Sequence, residues 1–373
     1  MDDDGAHLAG EWGLIGNGVG TVNLKWSSRL LIPVAKNWAV IFLFLLIAVF
    51  SFTGRGFFSL TNFQNIIHLS TIFLLLSAAE TYVIITGGID LSVGFVMGLS
   101  SVLSAKIMQL LHAAALPQPM SILIGGMVGI AISFIPGLIS GTLIARLNVP
   151  PFIATLGMWG VTNGITLHLC QGFPISFLPS KLVELGNGYL LYVLPGRAVS
   201  FLHKPYGLQD TQIRELIRIF PNSLVFSLVV LFILWHVLKH SRFGQHTYAI
   251  GGSMDASVRA GINVKKHLIA IYTLSSFLAG LAGVFNVFQT GIGNFTPFSS
   301  MYELFAIAGV VIGGASLMGG KGSIVGSCIG AVMIRLLENG LSISGVEPFY
   351  RFIAVGLILI MAVVIDQMFP ELF

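Results

Sequence analysis

The chain has 373 residues, of which 55% are hydrophobic and only 9% charged. A soluble domain carries about a quarter charged residues, so this composition excludes a soluble globular protein and identifies an integral membrane protein. The net charge of +4 comes from basic residues scattered over many loops with no dense run, which argues against a nucleic-acid binder and fits basic residues gathered on one side of a bilayer.

Residues 1–37 open with Asp2, Asp3 and Asp4, are glycine-dense up to Gly20, and reach the first apolar run through Lys25, Arg29 and Lys36. A secretory signal would begin basic and end in a small-residue cleavage site, so this segment reads as a flexible cytosolic tail. A span needs about 20 mostly apolar residues, and roughly ten candidates follow. They cover residues 38–52, 66–86, 93–111, 121–147, 152–169, 222–239, 268–290, 302–317, 324–341 and 352–368. The expected fold is therefore an all-α polytopic helical bundle occupying 38–373. The first, fifth and eighth candidates are short or glycine-broken, which makes them candidates for re-entrant segments.

Between the second and third spans lies Gly87-Gly88-Ile89-Asp90-Leu91-Ser92-Val93-Gly94. Asp90 is the only charge for several residues on either side. A carboxylate near lipid is costly unless it faces protein or a water-filled cavity, and the glycines let the backbone leave the helix and pack closely. The pattern predicts a polar break in the bundle where something is bound, passed or coupled. Glu80 stands about three turns earlier on the second span; it either bonds a neighbouring helix or lines a path. Arg335 and Glu338, spaced i,i+3 on the ninth span, are expected to neutralise each other.

With a cytosolic N-terminus, alternation of the spans places Arg146, Lys239, Arg242, Arg259, Lys265, Lys266 and Lys321 inside, in accord with the positive-inside rule. An even number of spans returns the C-terminus to the cytosol. Residues 171–221 then form an external loop that is basic, with Lys181, Arg197, Lys204, Arg214 and Arg218, against that rule. Within it, 210–220 looks amphipathic: Ile213, Leu216, Ile217 and Phe220 share a helical face, Asp210 can cap it and Pro221 stops it. An interfacial helix or part of a docking platform for an external partner would both fit.

Residues 239–267 form the longest polar stretch between later spans, on the cytosolic side. Ser253 is placed as an N-cap and Gly261 as the glycine past the C-terminus. A helix of about two turns fits between them, with Asp255 and Arg259 spaced i,i+4. Such a capped helix does nothing for membrane spanning and has the size to enter a cleft of a partner; a plain surface turn is the alternative. A short echo links Ile85-Thr86-Gly87-Gly88 with Val311-Ile312-Gly313-Gly314, each ending a span. Ala315 to Gly322 superficially suggests a phosphate loop, but it lacks the first glycine at the required offset and has Gly322 where Ser or Thr must hold magnesium; the glycines fit close helix crossings instead. Cys170 and Cys328 have no metal spacing and read as small buried thiols. His112, His168, His203 and His236 show no ligand spacing, so neither a metal centre nor an intramembrane enzyme is supported.

Four ordered blocks resemble one family. Phe243-Gly244, Tyr248-Ala249-Ile250-Gly251-Gly252, Ala256 and Ala260-Gly261-Ile262-Asn263 look like the cytosolic coupling segment of permease subunits from ribose-, xylose- and galactose-type ABC importers. The string from Gly87 to Gly94, the segment from Val149 to Gly157 and the run from Ile307 to Ser323 resemble the other hallmarks, and the similarity extends over about 62–368. Pro151 departs from the small residue common there, stiffening the start of the fifth span, and 191–221 is longer than the family leads one to expect.

The resemblance implies a pathway formed by two permease subunits, identical or different, in the bacterial inner membrane. A cytosolic ABC ATPase would bind ATP and magnesium, leaving this chain without a cofactor, and a periplasmic or extracellular sugar-binding protein would deliver solute. It also implies ATPase coupling through Asp255, Ala256, Arg259, Gly261 and Ile262. Sugar handling favours neutral hydrogen-bonding groups, of which Asn163, Thr166, Asn286 and Gln289 are candidates; with Glu80, Asp90 and Ser92 at the polar break they make up the expected path residues. The expected function is import of a monosaccharide or related polyol. The alternatives are an ABC permease for a sugar-like signalling molecule, one for branched-chain amino acids, which the Gly-Gly-Ile-Asp-Leu-Ser string disfavours, and an ion-coupled secondary transporter using Asp90 and Glu80.

Overall fold

The computed structural model describes residues 38–195, 198–205, 216–295 and 301–368. Among them, ten helices correspond to the ten expected spans: α1 (Trp38–Thr53), α2 (Leu60–Ile85), α3 (Val93–Ala113), α4 (Gln118–Leu147), α5 (Pro151–Cys170), α7 (Asn222–His240), α10 (Val264–Thr290), α11 (Tyr302–Ile312), α12 (Ile324–Ile343) and α13 (Pro348–Met368). Three more lie between spans: α6 (Ser180–Gly186), α8 (Arg242–Gly252) and α9 (Met254–Arg259). Six helices, α2, α3, α4, α7, α10 and α12, are long and apolar enough to cross a membrane.

Helix α2 is the centre of the bundle. The apolar window of α2 is 83% buried inside the protein, against 28% for α7, whose exposed residues then face lipid. Side chains of α2 reach three neighbours: Thr81 Oγ1 donates to Ser327 Oγ of α12 at 2.7 Å, Ser77 Oγ to Ala306 O of α11 at 3.4 Å, and Tyr82 Oη to Leu234 O of α7 at 2.6 Å. Lipid cannot replace such partners, so each bond also specifies which helix lies beside α2. Near its start, Asn62 and Asn339 exchange amide hydrogen bonds at 3.0 Å. Arg335 and Glu338 form the expected pair at 2.7 Å, with the guanidinium over the Phe73 ring at 6.0 Å.

Small residues let the main helices touch backbone to backbone. On α4, a Cβ at Gly141 would fall 2.8 Å from the Ile269 Cα of α10. On α12, a Cβ at Gly330 would collide with the Gly309 carbonyl of α11 and lie 3.0 Å from Gly313 N. Such close approach stands in for a hydrophobic driving force, which is absent between helices in lipid.

Several expectations are corrected. The eighth span, expected over 302–317, is helical only to Ile312. Eleven residues rise about 16 Å, too little to cross. The helix stops because Gly314 takes φ +91° and the Gly314 and Ala315 N–H groups return to the Val311 and Val310 carbonyls. Helix α2 ends in the same way, with Gly87 at φ +79° and the Gly87 and Gly88 N–H groups on Ile84 and Val83. Both stops are glycine C-capping turns, but the positive φ falls on Gly87 in one and Gly314 in the other, one place out of register with the sequence echo. The fifth span is not broken by its glycines but is a continuous helix of 20 residues. Helix α10 starts at Val264, capped by Asn263 accepting from Lys266 N at 3.0 Å, so the polar segment between spans is shorter than 239–267. That segment also holds α8, capped by Ser241 accepting from Gly244 N at 3.2 Å, which was expected to be loop.

The connection between α5 and α7 is not all loop. It contains α6 and a three-stranded antiparallel sheet, β1 (Tyr189–Leu194), β2 (Ala198–Phe201) and β3 (Ile217–Pro221), in the order β2-β1-β3. Tyr192 pairs with Ser200 on one side and Arg218 on the other. The amphipathic helix expected over 210–220 is overturned where it is described: 217–221 is strand β3, because β1 offers a ladder to the alternating Ile217 and Ile219. Its first residues, 210–215, lie outside the described residues, as does the tail 1–37. Cys170 is buried as expected, Cys328 is half-buried, and both are free.

Widening the α11–α12 contact tests the packing directly. Gly330→Val is expected to cost about 1–3 kcal/mol or more through overpacking, lowering the unfolding temperature of the detergent-purified protein. Gly356→Ala, where a Cβ meets open space, is expected to leave that temperature unchanged.

Candidate functional site

Two features hold most of the candidate residues. The first is the break between α2 and α3. Positive φ at Gly87 turns the chain out of α2, and it re-enters helix at Val93. In between, Asp90 is 1% exposed and faces protein. Its Oδ1 accepts from Ser92 N at 3.0 Å and Ser92 Oγ at 2.6 Å, and its Oδ2 accepts from Ser275 Oγ of α10 at 2.8 Å. Three donors on one carboxyl offset much of the penalty for taking it out of water. Glu80 is fully buried; its Oε2 accepts from Asp90 N at 3.5 Å, while its Oε1 has no hydrogen-bond partner. Tyr272 of α10, 1% exposed, directs its hydroxyl at Gly88, and Glu303 of α11 places its carboxyl against Gly94. Thr155 Oγ1 of α5 donates to Ile89 O at 3.2 Å. The break is therefore held by side chains from α5, α10 and α11 as well as by its own turn, and Glu80, Asp90 and Ser92 lie together there.

The other path candidates are spread out. Thr166 is buried, but its hydroxyl bonds Thr162 O of its own helix at 2.6 Å. Asn163 is half-buried on α5, and Asn286 half-buried near the end of α10. Gln289 is at the far end of α10 from Ser275, donating to His68 O at 3.0 Å and accepting from Asn187 Nδ2 at 3.1 Å. The sequence reading missed Tyr272, Ser275 and Glu303. Nothing in their local sequence marks them; only the packing of α10 and α11 against the break does.

The second feature is the segment 241–263. Ser253 Oγ accepts from Ala256 N at 3.2 Å, starting α9 as expected. Gly261 takes φ +81°, and the Gly261 and Ile262 N–H groups cap Val258 and Ser257 at 3.0 Å each. The two-turn helix between a serine cap and a glycine stop is thus present. Asp255, Ala256, Arg259 and Gly261 are exposed, whereas Ile262 is half-buried against the core. The i,i+4 spacing of Asp255 and Arg259 does not bring them into an ion pair, unlike Arg335 and Glu338. The exposed side of α9 adds two apolar groups the sequence reading overlooked, Met254 at 48% and Val258 at 58%, one helical turn apart. Helix α8 ties α9 to the bundle: Thr247 Oγ1 and His267 Nε2 lie 2.9 Å apart, and Tyr248 Oη donates to Gly322 O at 2.7 Å. Burial pushes the Tyr248 phenol up from its ordinary value, so it stays protonated and able to donate. Among the described residues, no cluster of His, Cys, Asp and Glu could hold a metal ion.

A profile of the family described as "Branched-chain amino acid transport system / permease component" matches residues 62–363. The chain belongs to this family. The permease is similar to the ribose import permease protein of Escherichia coli K12, with 32% identity covering 88% of this chain and 92% of the relative. It is 34% identical to the fructose import permease protein of Rhizobium meliloti, over 86% and 82% of the two chains. It is 30% identical to the galactose/methyl galactoside import permease protein of E. coli K12, over 87% and 92%. No solved structure matches it. The matched span contains both features: the Asp90 break and the 241–263 segment lie within 62–363.

Removing the Asp90 carboxyl should be more harmful than removing one of its donors. Asp90→Ala strands three donors in the permease interior and is expected to cost roughly 2–4 kcal/mol, against about 1 for Ser275→Ala. Thermal unfolding of the detergent-purified variants checks the order; equal losses would mean that the bonds around Asp90 contribute little.

Proposed function

We propose that the permease is the transmembrane subunit of an ATP-driven, binding-protein-dependent importer of a monosaccharide or related polyol. The observation that carries the reading is near full-length similarity to import permeases named for ribose, fructose and galactose. In this reading two permease copies, identical or different, enclose the path in the bacterial inner membrane. ATP and magnesium belong to a cytosolic ATPase subunit, and this chain performs no catalysis. A sugar-binding protein delivers solute from outside to the face carrying α6 and the β-sheet. Both termini lie in the cytosol.

Helix α9 is the contact for the ATPase. Met254 and Val258 expose apolar surface on a short, capped, otherwise polar helix, a form that fits a partner's cleft. Asp255, Ala256, Arg259 and Gly261 complete that exposed side, while Ile262 holds it to the bundle. Closure of the ATPases on ATP would shift this segment as a body. Glu80, Asp90 and Ser92 are the strongest candidates for residues beside the path, and Asn163, Thr166, Asn286 and Gln289 are proposed as its neutral polar lining. The family description itself favours a second reading, a branched-chain amino acid as solute.

Uptake by proteoliposomes containing the whole transporter decides between solutes: labelled ribose, fructose or galactose is expected to accumulate and leucine is not. Accumulation that needs an ion gradient and not ATP would overturn the ATP-driven reading. Proline at Gly261 is a poor probe, since φ +81° is closed to it. Val258→Asp, on an exposed side chain, is expected to leave the fold intact and to lower ATPase co-purification about tenfold by placing a charge in an apolar contact.

A further inference from the structure

Three segments far apart in sequence meet where α8 ends, and they meet through backbone. The Gly320 N–H donates to the Ile85 carbonyl of α2 at 2.8 Å. Gly251 of α8 packs on that same carbonyl so closely that any Cβ would collide with it, and that Cβ would also lie 2.5 Å from Gly320 N. A Cβ at Gly319 would be 2.9 Å from Gly251 O and 3.0 Å from Gly87 N. The loop that supplies Gly319 and Gly320 is itself closed, by Ser316 N to Lys321 O at 3.2 Å and Gly319 N to Ser316 O at 3.0 Å. Tyr248 fastens α8 to it through Gly322 O.

Side chains absorb small displacements by changing rotamer. Backbone groups in direct contact have no such freedom, and close-packed interiors transmit strain. We infer that Gly251 is a positioning residue for transport: through the junction of Ile85, Gly87, Gly251, Gly319 and Gly320, movement of α8 and α9 is delivered undiminished to the end of α2 and to the α11–α12 loop. The recipients matter. Asp90 stands five residues beyond Ile85 and is bonded to α10 through Ser275. The same motion therefore reaches the break held by α5, α10 and α11. The inference rests on the reading of α9 as the ATPase contact and adds the means by which that contact acts on the path.

The test uses the complete transporter in proteoliposomes, with Gly251→Ala and Tyr248→Phe. Three quantities are read: ATPase retained, ATP hydrolysed in response to solute-loaded binding protein, and solute imported per ATP. Gly251→Ala is expected to keep the first two and to lower import per ATP roughly tenfold, with a smaller loss for Tyr248→Phe. Normal import per ATP in Gly251→Ala, or hydrolysis and import falling in proportion, overturns the inference. If Gly251→Ala does not assemble, Tyr248→Phe decides instead: it removes only the hydroxyl bond to Gly322 O, and unchanged import per ATP in an assembled Tyr248→Phe transporter overturns the inference. Failure of the wild-type chain to retain any ATPase would instead remove the reading of α9, a result separate from normal import by an assembled Gly251→Ala complex.

Discussion

The organisation of this protein turns on a carboxyl group that must be satisfied without water. Asp90 interrupts two apolar helices and is almost wholly buried. Its three donors come from its own turn and from α10, so the penalty for its burial fixes both the shape of the turn and the helix beside it. Around that constraint α2 becomes the central helix, tied to α7, α11 and α12 by hydroxyl bonds, while α4 and α7 turn much of their surface to lipid. An apolar residue at 90 would release the turn from α10.

The two ends of the α2–α3 break have different characters. On one side Glu80 Oε1 and Tyr272 Oη are buried without a hydrogen-bond partner in the protein. On the other, glycine backbones meet with no side chain between them. The first suits a region that rearranges around a passing polar solute. The second suits a region whose geometry is kept while its position changes. Both fit the proposed role as the permease subunit of an importer.

Much of this was legible in the sequence, for identifiable reasons. Apolar runs of sufficient length gave the ten helices, and Ser253 and Gly261 gave α9, because capping is a local preference. Asp90 stood out because charge is rare in such a chain. What was hidden depended on distant partners. Strand β3 needed β1 as a template, and its Ile217 and Phe220 also fit a helical face. Helix α8 was obscured by Gly251 and Gly252, which look like loop residues until their contacts with Ile85 and Gly320 are seen. From the sequence the eighth span runs to 317, although Gly313-Gly314 also reads as ending a span and the segment as a re-entrant candidate; the stop itself is set by the positive φ of Gly314. Tyr272, Ser275 and Glu303 have no local signature at all.

Helix α7, 19 residues long, separates the β-sheet from α8 by about 28 Å. The sheet holds together largely by its own ladders, and α8 by glycine contacts at the opposite end. The two faces are consequently modular. The end of the bundle that carries the sheet can therefore vary in length with little effect on the end that carries α8, the link between them being α7 and the bond from Gln64 Nε2 of α2 to Arg218 O of β3 at 2.7 Å.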